Sequence, residues 1–159
     1  MRFWVPILAM VLAGTALLGC ADAKDVAGPE SAQEKSDQQV RKMKIRVTIE
    51  GKAITATLVD NETSRDFVSL LPLTLTLKDY AATEKISDLP RRLSTKNAPS
   101  GCDSSVGDIT YYSPWGNLAI FYNDFGYSNG LIKLGSLDGG IEKLGSIKGD
   151  FEAVFESIE

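Results

Sequence analysis

The sequence predicts a mainly β fold over residues 43–159, a closed β-barrel with about two short helices. Seven or eight short segments alternate apolar and polar residues or are rich in β-branched and aromatic side chains, as strands are. Turns that contain glycine or proline separate them. Closure is favoured over an open sandwich because a barrel leaves no exposed strand edges.

The first elements are a hairpin, a helix and a third strand. Residues 45–49 and 54–58 alternate apolar and polar side chains on either side of a Glu50-Gly51-Lys52 turn. Thr63-Ser64-Arg65-Asp66 has the spacing of a capping box, so a helix is expected to begin at Thr63 and to end before a proline. Alternating leucines and threonines in residues 73–77 then predict a strand.

The second half of the domain is richer in strands. Residues 79–105 are interpreted as a long irregular stretch with one short strand at Lys85-Ile86-Ser87. Glycines within residues 126–130 indicate a turn. The remaining predicted elements are strands at Asp108–Tyr112, Asn117–Tyr122 and Gly130–Leu134, a short helix around Leu137, Ile141 and Leu144, and a last strand at Asp150–Ile158.

The N-terminal residues 1–19 have the plan of a secretory signal peptide. Arg2 precedes an uncharged, largely apolar run from Phe3 to Leu18. The alternative is a transmembrane anchor, but a span needs about 20 apolar residues, and this run is shorter and interrupted by a proline and a glycine. Leu17-Leu18-Gly19-Cys20 resembles the lipobox of bacterial lipoproteins, which implies cleavage before Cys20, its lipidation, and a membrane as partner.

Residues 20–42 are expected to be a flexible tether behind the lipidated cysteine. The segment has no aromatic residue and too few apolar ones to offset its ordering entropy. A flexible chain of this length reaches roughly 25 Å. The resemblance to bacterial lipoproteins further implies, from Ala21 after the cysteine, the periplasmic face of the outer membrane if the source is Gram-negative.

Composition excludes several classes of function. The chain has 17 basic and 21 acidic residues, which argues against a nucleic-acid partner. It has no histidine, which removes Ser–His and Cys–His dyads and imidazole metal sites. Clustered metal-ligand spacings are absent from the sequence, so no cofactor is expected. With Cys20 assigned to lipid, Cys102 has no disulfide partner, and a buried or inert thiol is favoured over a reactive one.

Residues 107–122, Gly-Asp-Ile-Thr-Tyr-Tyr-Ser-Pro-Trp-Gly-Asn-Leu-Ala-Ile-Phe-Tyr, resemble the core motif of the cyclophilin-like domain family of bacteria and archaea. The resemblance covers about residues 44–158 and implies a cyclophilin-like barrel of unassigned activity, flanked by two helices. True cyclophilins use an arginine in a Phe-His-Arg strand, which this chain lacks, so no catalytic residue carries over. Further matching segments are Arg65-Asp66-Phe67, Leu70-Leu71-Pro72, Leu73–Leu77, Leu89-Pro90-Arg91 and Phe125–Gly130.

The candidate ligand-binding residues are mostly aromatic: Trp115, Tyr112, Tyr122, Tyr127 and Arg91. Most of the domain's rings lie between residues 111 and 127, where they either pack or line a groove for a ligand. Trp115 is the best candidate because it lies in a Pro-Trp-Gly turn, where a large ring has no obvious core to fill. Arg91 either grips a carboxylate bidentately or is a solvated loop charge.

Three functions fit these features. The leading hypothesis is a non-enzymatic binding module that holds a small molecule or an extended peptide in an aromatic groove at a membrane. A divergent prolyl isomerase that works without histidine is the alternative. An envelope interaction protein with no pocket is the third.

Overall fold

The structure, a computed structural model, describes residues 43–158. Within them lie helix α1 (Glu62–Val68), a 3-10 helix (Ile141–Ser146) and ten strands. The predicted signal peptide, Cys20 and the tether of residues 20–42 lie outside the described residues. The strands are β1 (Met43–Ile49), β2 (Lys52–Leu58), β3 (Leu73–Tyr80), β4 (Glu84–Asp88), β5 (Gly101–Ser104), β6 (Asp108–Tyr112), β7 (Asn117–Phe121), β8 (Phe125–Asn129), β9 (Leu131–Leu137) and β10 (Phe151–Ser157).

Eight of these strands close into an antiparallel barrel, which confirms the predicted fold class. Their order around the barrel is β1-β10-β3-β4-β7-β6-β9-β2, with β2 paired again to β1. The predicted first hairpin is present, with Val47 opposite Ile54. Val47 also pairs with Phe155 of the last strand, so the first and last strands of the domain are neighbours.

Alternation along the strands fills the barrel with apolar side chains. Ile45 and Val47 of β1, Leu77 of β3, Ile120 of β7 and Phe155 of β10 are fully buried. The interior of an eight-stranded barrel is just wide enough for such side chains to fill it. The barrel interior is therefore the core of the domain, and a binding site must lie at a rim or on the outer face.

Helix α1 begins at Glu62, one residue before the predicted start, and its N-cap lies two residues before Thr63, so the capping box was placed wrongly. Asn61 is the N-cap: its backbone is extended, and its Oδ1 accepts a hydrogen bond from the Ser64 amide at 2.7 Å. Thr63 lies inside the helix and is buried. Asp66 does not cap the helix, because its carboxylate faces Arg91. Both Asn and Thr are good N-caps, so residue type alone does not decide between them.

The second predicted helix is the 3-10 helix, which begins later than expected because Leu137 still belongs to β9. Leu144 is its buried residue and joins the barrel core. Neither helix within residues 43–158 is long and apolar enough to cross a bilayer.

Strands β5 and β8 form a separate two-stranded sheet, so interpreting residues 126–130 as a turn was wrong. Cys102 pairs with Ser128 in this sheet. A second, small apolar cluster has Ala119, Phe121 and Leu131 as its buried residues, and Cys102 packs against it. Through this contact the β5–β8 sheet covers part of the barrel's outer face.

Candidate functional site

A pocket lies on the outer face of the barrel, where the β6–β7 turn meets the β5–β8 sheet. Its volume is about 170 Å³. Barrel strands supply most of its wall, the turn supplies Trp115, and β8 supplies two side chains. The lining residues are Tyr80, Glu84, Tyr112, Trp115, Asn117, Phe121, Phe125, Ser128 and Leu131.

Aromatic rings form most of the wall. Trp115 packs edge-to-face against Tyr80 and Tyr112, with ring centroids 5.5 and 5.4 Å apart. Phe121 and Phe125 stack at 6.1 Å. Trp115 is 55% exposed, so its ring fills no core, as its place in a turn predicts. Rings that are held by one another and still reach solvent offer a rigid apolar surface to a ligand.

The turn that carries Trp115 is fixed by backbone hydrogen bonds and by Arg92. The Gly116 amide donates to the Tyr112 carbonyl at 2.8 Å, with Gly116 at a φ of +81° that favours glycine. The Arg92 guanidinium donates to the carbonyls of Ser113 at 2.6 Å and Pro114 at 3.3 Å. Arg92 therefore positions the turn without lining the pocket.

Two polar groups in the pocket have no partner among the described residues. Asn117 is 3% exposed, and its Oδ1 is buried and accepts no hydrogen bond. Glu84 is half-buried, and burial raises the pKa of its carboxyl to about 7. A buried acceptor without a donor costs about 1–3 kcal/mol. Perturbed and unsatisfied groups of this kind in a concave site are typical of functional sites.

The β3–β4 hairpin places Tyr80 and Glu84 side by side. The two residues are paired across the hairpin, on the same face of the sheet. The turn between them passes through Ala81 and Ala82, at φ values of +53° and +51°. Left-handed backbone costs an alanine roughly 1–2 kcal/mol. Strained backbone is often found at ligand-binding and catalytic sites, and here it lies beside a pocket with unpaired polar groups.

Of the residues predicted from sequence, the structure brings Trp115 and Tyr112 together and places the other three elsewhere. The Tyr122 hydroxyl donates to Asp79 at 2.8 Å, and its ring lies 5.4 Å from the Lys85 ammonium. Burial, with Asp79 adding to it, raises the pKa of Tyr122 to about 12. Tyr122 therefore belongs to a structural network that includes the buried Lys85.

Tyr127 and Arg91 also lie outside the pocket. Tyr127 is exposed, and its hydroxyl hydrogen-bonds to Ser100 Oγ at 3.0 Å. Arg91 grips a carboxylate bidentately, but the carboxylate is that of Asp66, at 2.7 and 2.9 Å. This contact holds the pKa of Asp66 at about 2. Arg91 thus ties the loop after β4 to helix α1.

A larger depression of about 380 Å³ lies beside the β1–β2 turn and the 3-10 helix. Its charged side chains, such as Glu50, Lys52 and Lys143, are exposed. Lys143 lies close enough to lower the pKa of Lys52. Since none of its polar groups is both buried and unpaired, the smaller aromatic pocket is the stronger candidate site.

Comparison with known proteins supports the fold. The sequence model of the cyclophilin-like family matches residues 47–156, which is more than half of the chain. A search of curated proteins found no match to this chain. The solved structure of a hypothetical protein from Archaeoglobus fulgidus superposes with a TM-score of 0.59 at 16% identity, covering 77% of this chain and 99% of that one.

McbB, solved in complex with tryptophan, superposes with a TM-score of 0.53 at 15% identity. The alignment covers 71% of this chain and 44% of McbB, so the chain spans less than half of that protein. Both likenesses are of fold alone.

Proposed function

This chain belongs to the cyclophilin-like family, and we propose that its barrel is a binding module that holds a small molecule in the pocket beside Trp115. The observation that carries the proposal is the aromatic-lined pocket in which the Trp115 ring packs against Tyr80 and Tyr112 and still reaches solvent. A ring of a ligand would pack against this rigid apolar surface. Mostly apolar walls with a few convergent polar groups are the usual make-up of a small-molecule site.

The size of the pocket limits what can enter it. An apolar cavity of about 150 Å³ holds benzene, so this pocket of about 170 Å³ accepts one ring-sized group. The rest of a ligand would extend past Trp115 into solvent. McbB, which shares the fold, is described in complex with tryptophan. That complex makes an indole a sensible first probe.

Isothermal titration of the full chain with 3-methylindole tests the proposal. Binding is expected, and Trp115→Ala should weaken it at least tenfold, because a large wall ring is lost. Tyr127→Phe is the matched control, since Tyr127 is an exposed ring outside the pocket. Binding that survives Trp115→Ala unchanged would refute the site. Acetyl-Ala-Pro-amide tests the peptide alternative, and tighter binding of this peptide than of 3-methylindole would favour a peptide ligand.

We propose further that the barrel is held at a membrane through lipidated Cys20. The lipobox-like sequence that ends at this cysteine supports the proposal. Each buried methylene contributes about 0.8 kcal/mol, and stable anchoring needs more than one acyl chain. In a bacterial host Cys20→Ser should move the chain from the membrane fraction to the soluble fraction, whereas Cys102→Ser should not. A Cys20→Ser chain that stays with the membrane would exclude this anchor.

A further inference from the structure

The charge of the pocket narrows the ligand class. Glu84 is the one charged residue among its lining residues, and neither lysine nor arginine lines it. Two lysines lie near Glu84 in the β3–β4 hairpin. Lys85 is on the opposite face of β4, where it is buried and bound to Asp79 at 2.8 Å. Lys78 is on the same face as Glu84, but it lies opposite Ile86, does not line the pocket and forms no ion pair with Glu84. The arginine closest to the turn, Arg92, is engaged with backbone carbonyls. The pocket therefore contains an acid without a counter-ion.

The groups around Glu84 also favour positive charge. Trp115, Tyr112 and Tyr80 surround one side of the pocket, and the faces of such rings attract cations. An ammonium group beside Glu84 would neutralise the carboxylate. A carboxylate ligand would meet repulsion from Glu84 and find no cation among the lining residues.

From this arrangement, and resting on the proposed function, we propose that the pocket selects small organic cations: a protonated amine attached to a ring-sized apolar group. The ammonium lies beside Glu84, and the ring packs against Trp115 and Tyr112. The cation is recognised by a carboxylate and aromatic rings together, which is the chemistry of an aromatic cage completed by an acid.

Selection for a cation makes binding depend on pH through Glu84. The other titratable groups that line the pocket are the phenols of Tyr80 and Tyr112; the lining side chains of β7, β8 and β9 carry none. Glu84 gains a proton as the pH falls below about 7 and then no longer attracts a cation. Amine affinity should therefore fall about fivefold from pH 8 to pH 6 if the charge of Glu84 contributes about tenfold, and the affinity of a neutral ligand should not change.

Three indoles that differ in charge test the proposal by titration of the full chain at pH 8. Tryptamine, which is cationic, should bind about tenfold more tightly than neutral 3-methylindole. Indole-3-acetate, which is anionic, should bind least. Glu84→Gln should remove the preference for tryptamine over 3-methylindole, so that the ratio of their two dissociation constants approaches one. Glu152→Gln, on the exposed face of β10, is the matched control.

The outcomes separate the two proposals. If no indole binds, the proposed function fails. If tryptamine, 3-methylindole and indole-3-acetate bind equally, the pocket binds rings but does not select cations, and the inference is refuted. A capped Gly-Lys-Gly peptide carries an ammonium without a ring, so it should compete with tryptamine only weakly. If it binds as tightly as tryptamine, the pocket does not require a ring-sized group, and the inference is refuted.

Discussion

Glu84 should make the domain less stable at neutral and higher pH than at acidic pH, and replacing it with glutamine should remove this loss. The carboxyl is half-buried beside aromatic rings, and its pKa is raised by burial from an ordinary value of 4.5 to about 7. In the unfolded chain the same group loses its proton near its ordinary value. Glutamine has nearly the same shape and carries no charge at any pH.

The magnitude follows from linkage between proton binding and folding. Below pH 4.5 the carboxyl is protonated in both states and costs nothing. Between pH 4.5 and about 7 the carboxyl is ionised in the unfolded chain but still protonated in the folded one, so the free energy of unfolding falls as the pH rises. Above about pH 7 the carboxyl is ionised in both states, and the free energy of unfolding no longer changes through this group. One pKa unit corresponds to about 1.4 kcal/mol, so the full difference would be about 3 kcal/mol. Because the group is partly exposed, we expect about 1–3 kcal/mol.

Urea denaturation at pH 4 and pH 8 measures this effect. The gain in unfolding free energy of Glu84→Gln over the parent should be about 1–3 kcal/mol larger at pH 8 than at pH 4. Glu152→Gln, at an exposed position of β10, is the control for removal of a surface carboxylate. Carboxyl carbon NMR gives the pKa of Glu84 directly. A measured value below 5, or an equal gain at both pH values, would refute the argument from burial.

Further outcomes concern the core, the strained turn and catalysis. Lys85 is fully buried, and its ammonium also donates to the Ile147 carbonyl. Measured by urea denaturation, Lys85→Ala should lower the free energy of unfolding by about 2–4 kcal/mol. Lys85→Met, which keeps the apolar stem of the side chain, should lower it clearly less. Equal losses would show that the charge, and not the packing, matters. Ala82→Gly should raise the free energy of unfolding by about 1 kcal/mol, because glycine adopts the left-handed backbone without strain, whereas Ala53→Gly in β2 should lower it. A lower free energy of unfolding for Ala82→Gly would show that the turn is not strained. In a protease-coupled assay the chain should not accelerate X–Pro isomerisation, because the chain has no histidine and no arginine lines the pocket. Acceleration at micromolar protein would restore the isomerase hypothesis.

The barrel could be predicted because most of its strands have one buried and one exposed face. The alternation of Ile45, Val47 and Ile49 follows directly from that geometry. The β5–β8 sheet gave no such signal. Phe125 and Tyr127 of β8 are both exposed, and the bulge at Cys102–Ser104 breaks the period of β5. Tertiary contact with the barrel, which no local pattern encodes, makes these segments strands.

The site was harder to predict than the fold. Trp115 could be identified because a large ring in a tight turn has little to pack against. Glu84 could not, because in β4 the usual polarity is reversed: Lys85 faces inward and is fully buried, while Glu84 lines the outer pocket. Asn117 could not either, because an asparagine directly after a Trp-Gly turn is usually part of the turn. The proximity of Tyr80 to Glu84 could not be predicted either. The hairpin turn between them is made of two alanines, whereas Asn-Gly is the usual sequence signal of such a turn. Arg92, which supports the turn, has no sequence signature.

The separate β5–β8 sheet has a consequence for how such a domain can diverge or be redesigned. Within residues 43–158 the eight strands that carry stability are paired in a closed ring, and β8 is not one of them. Phe125 and Ser128 thus come from a wall that can be exchanged without breaking a barrel ladder. Replacing residues 125–129 is a way to graft a new ligand preference onto an unchanged scaffold, with Glu84 and Asn117 kept as fixed polar contacts.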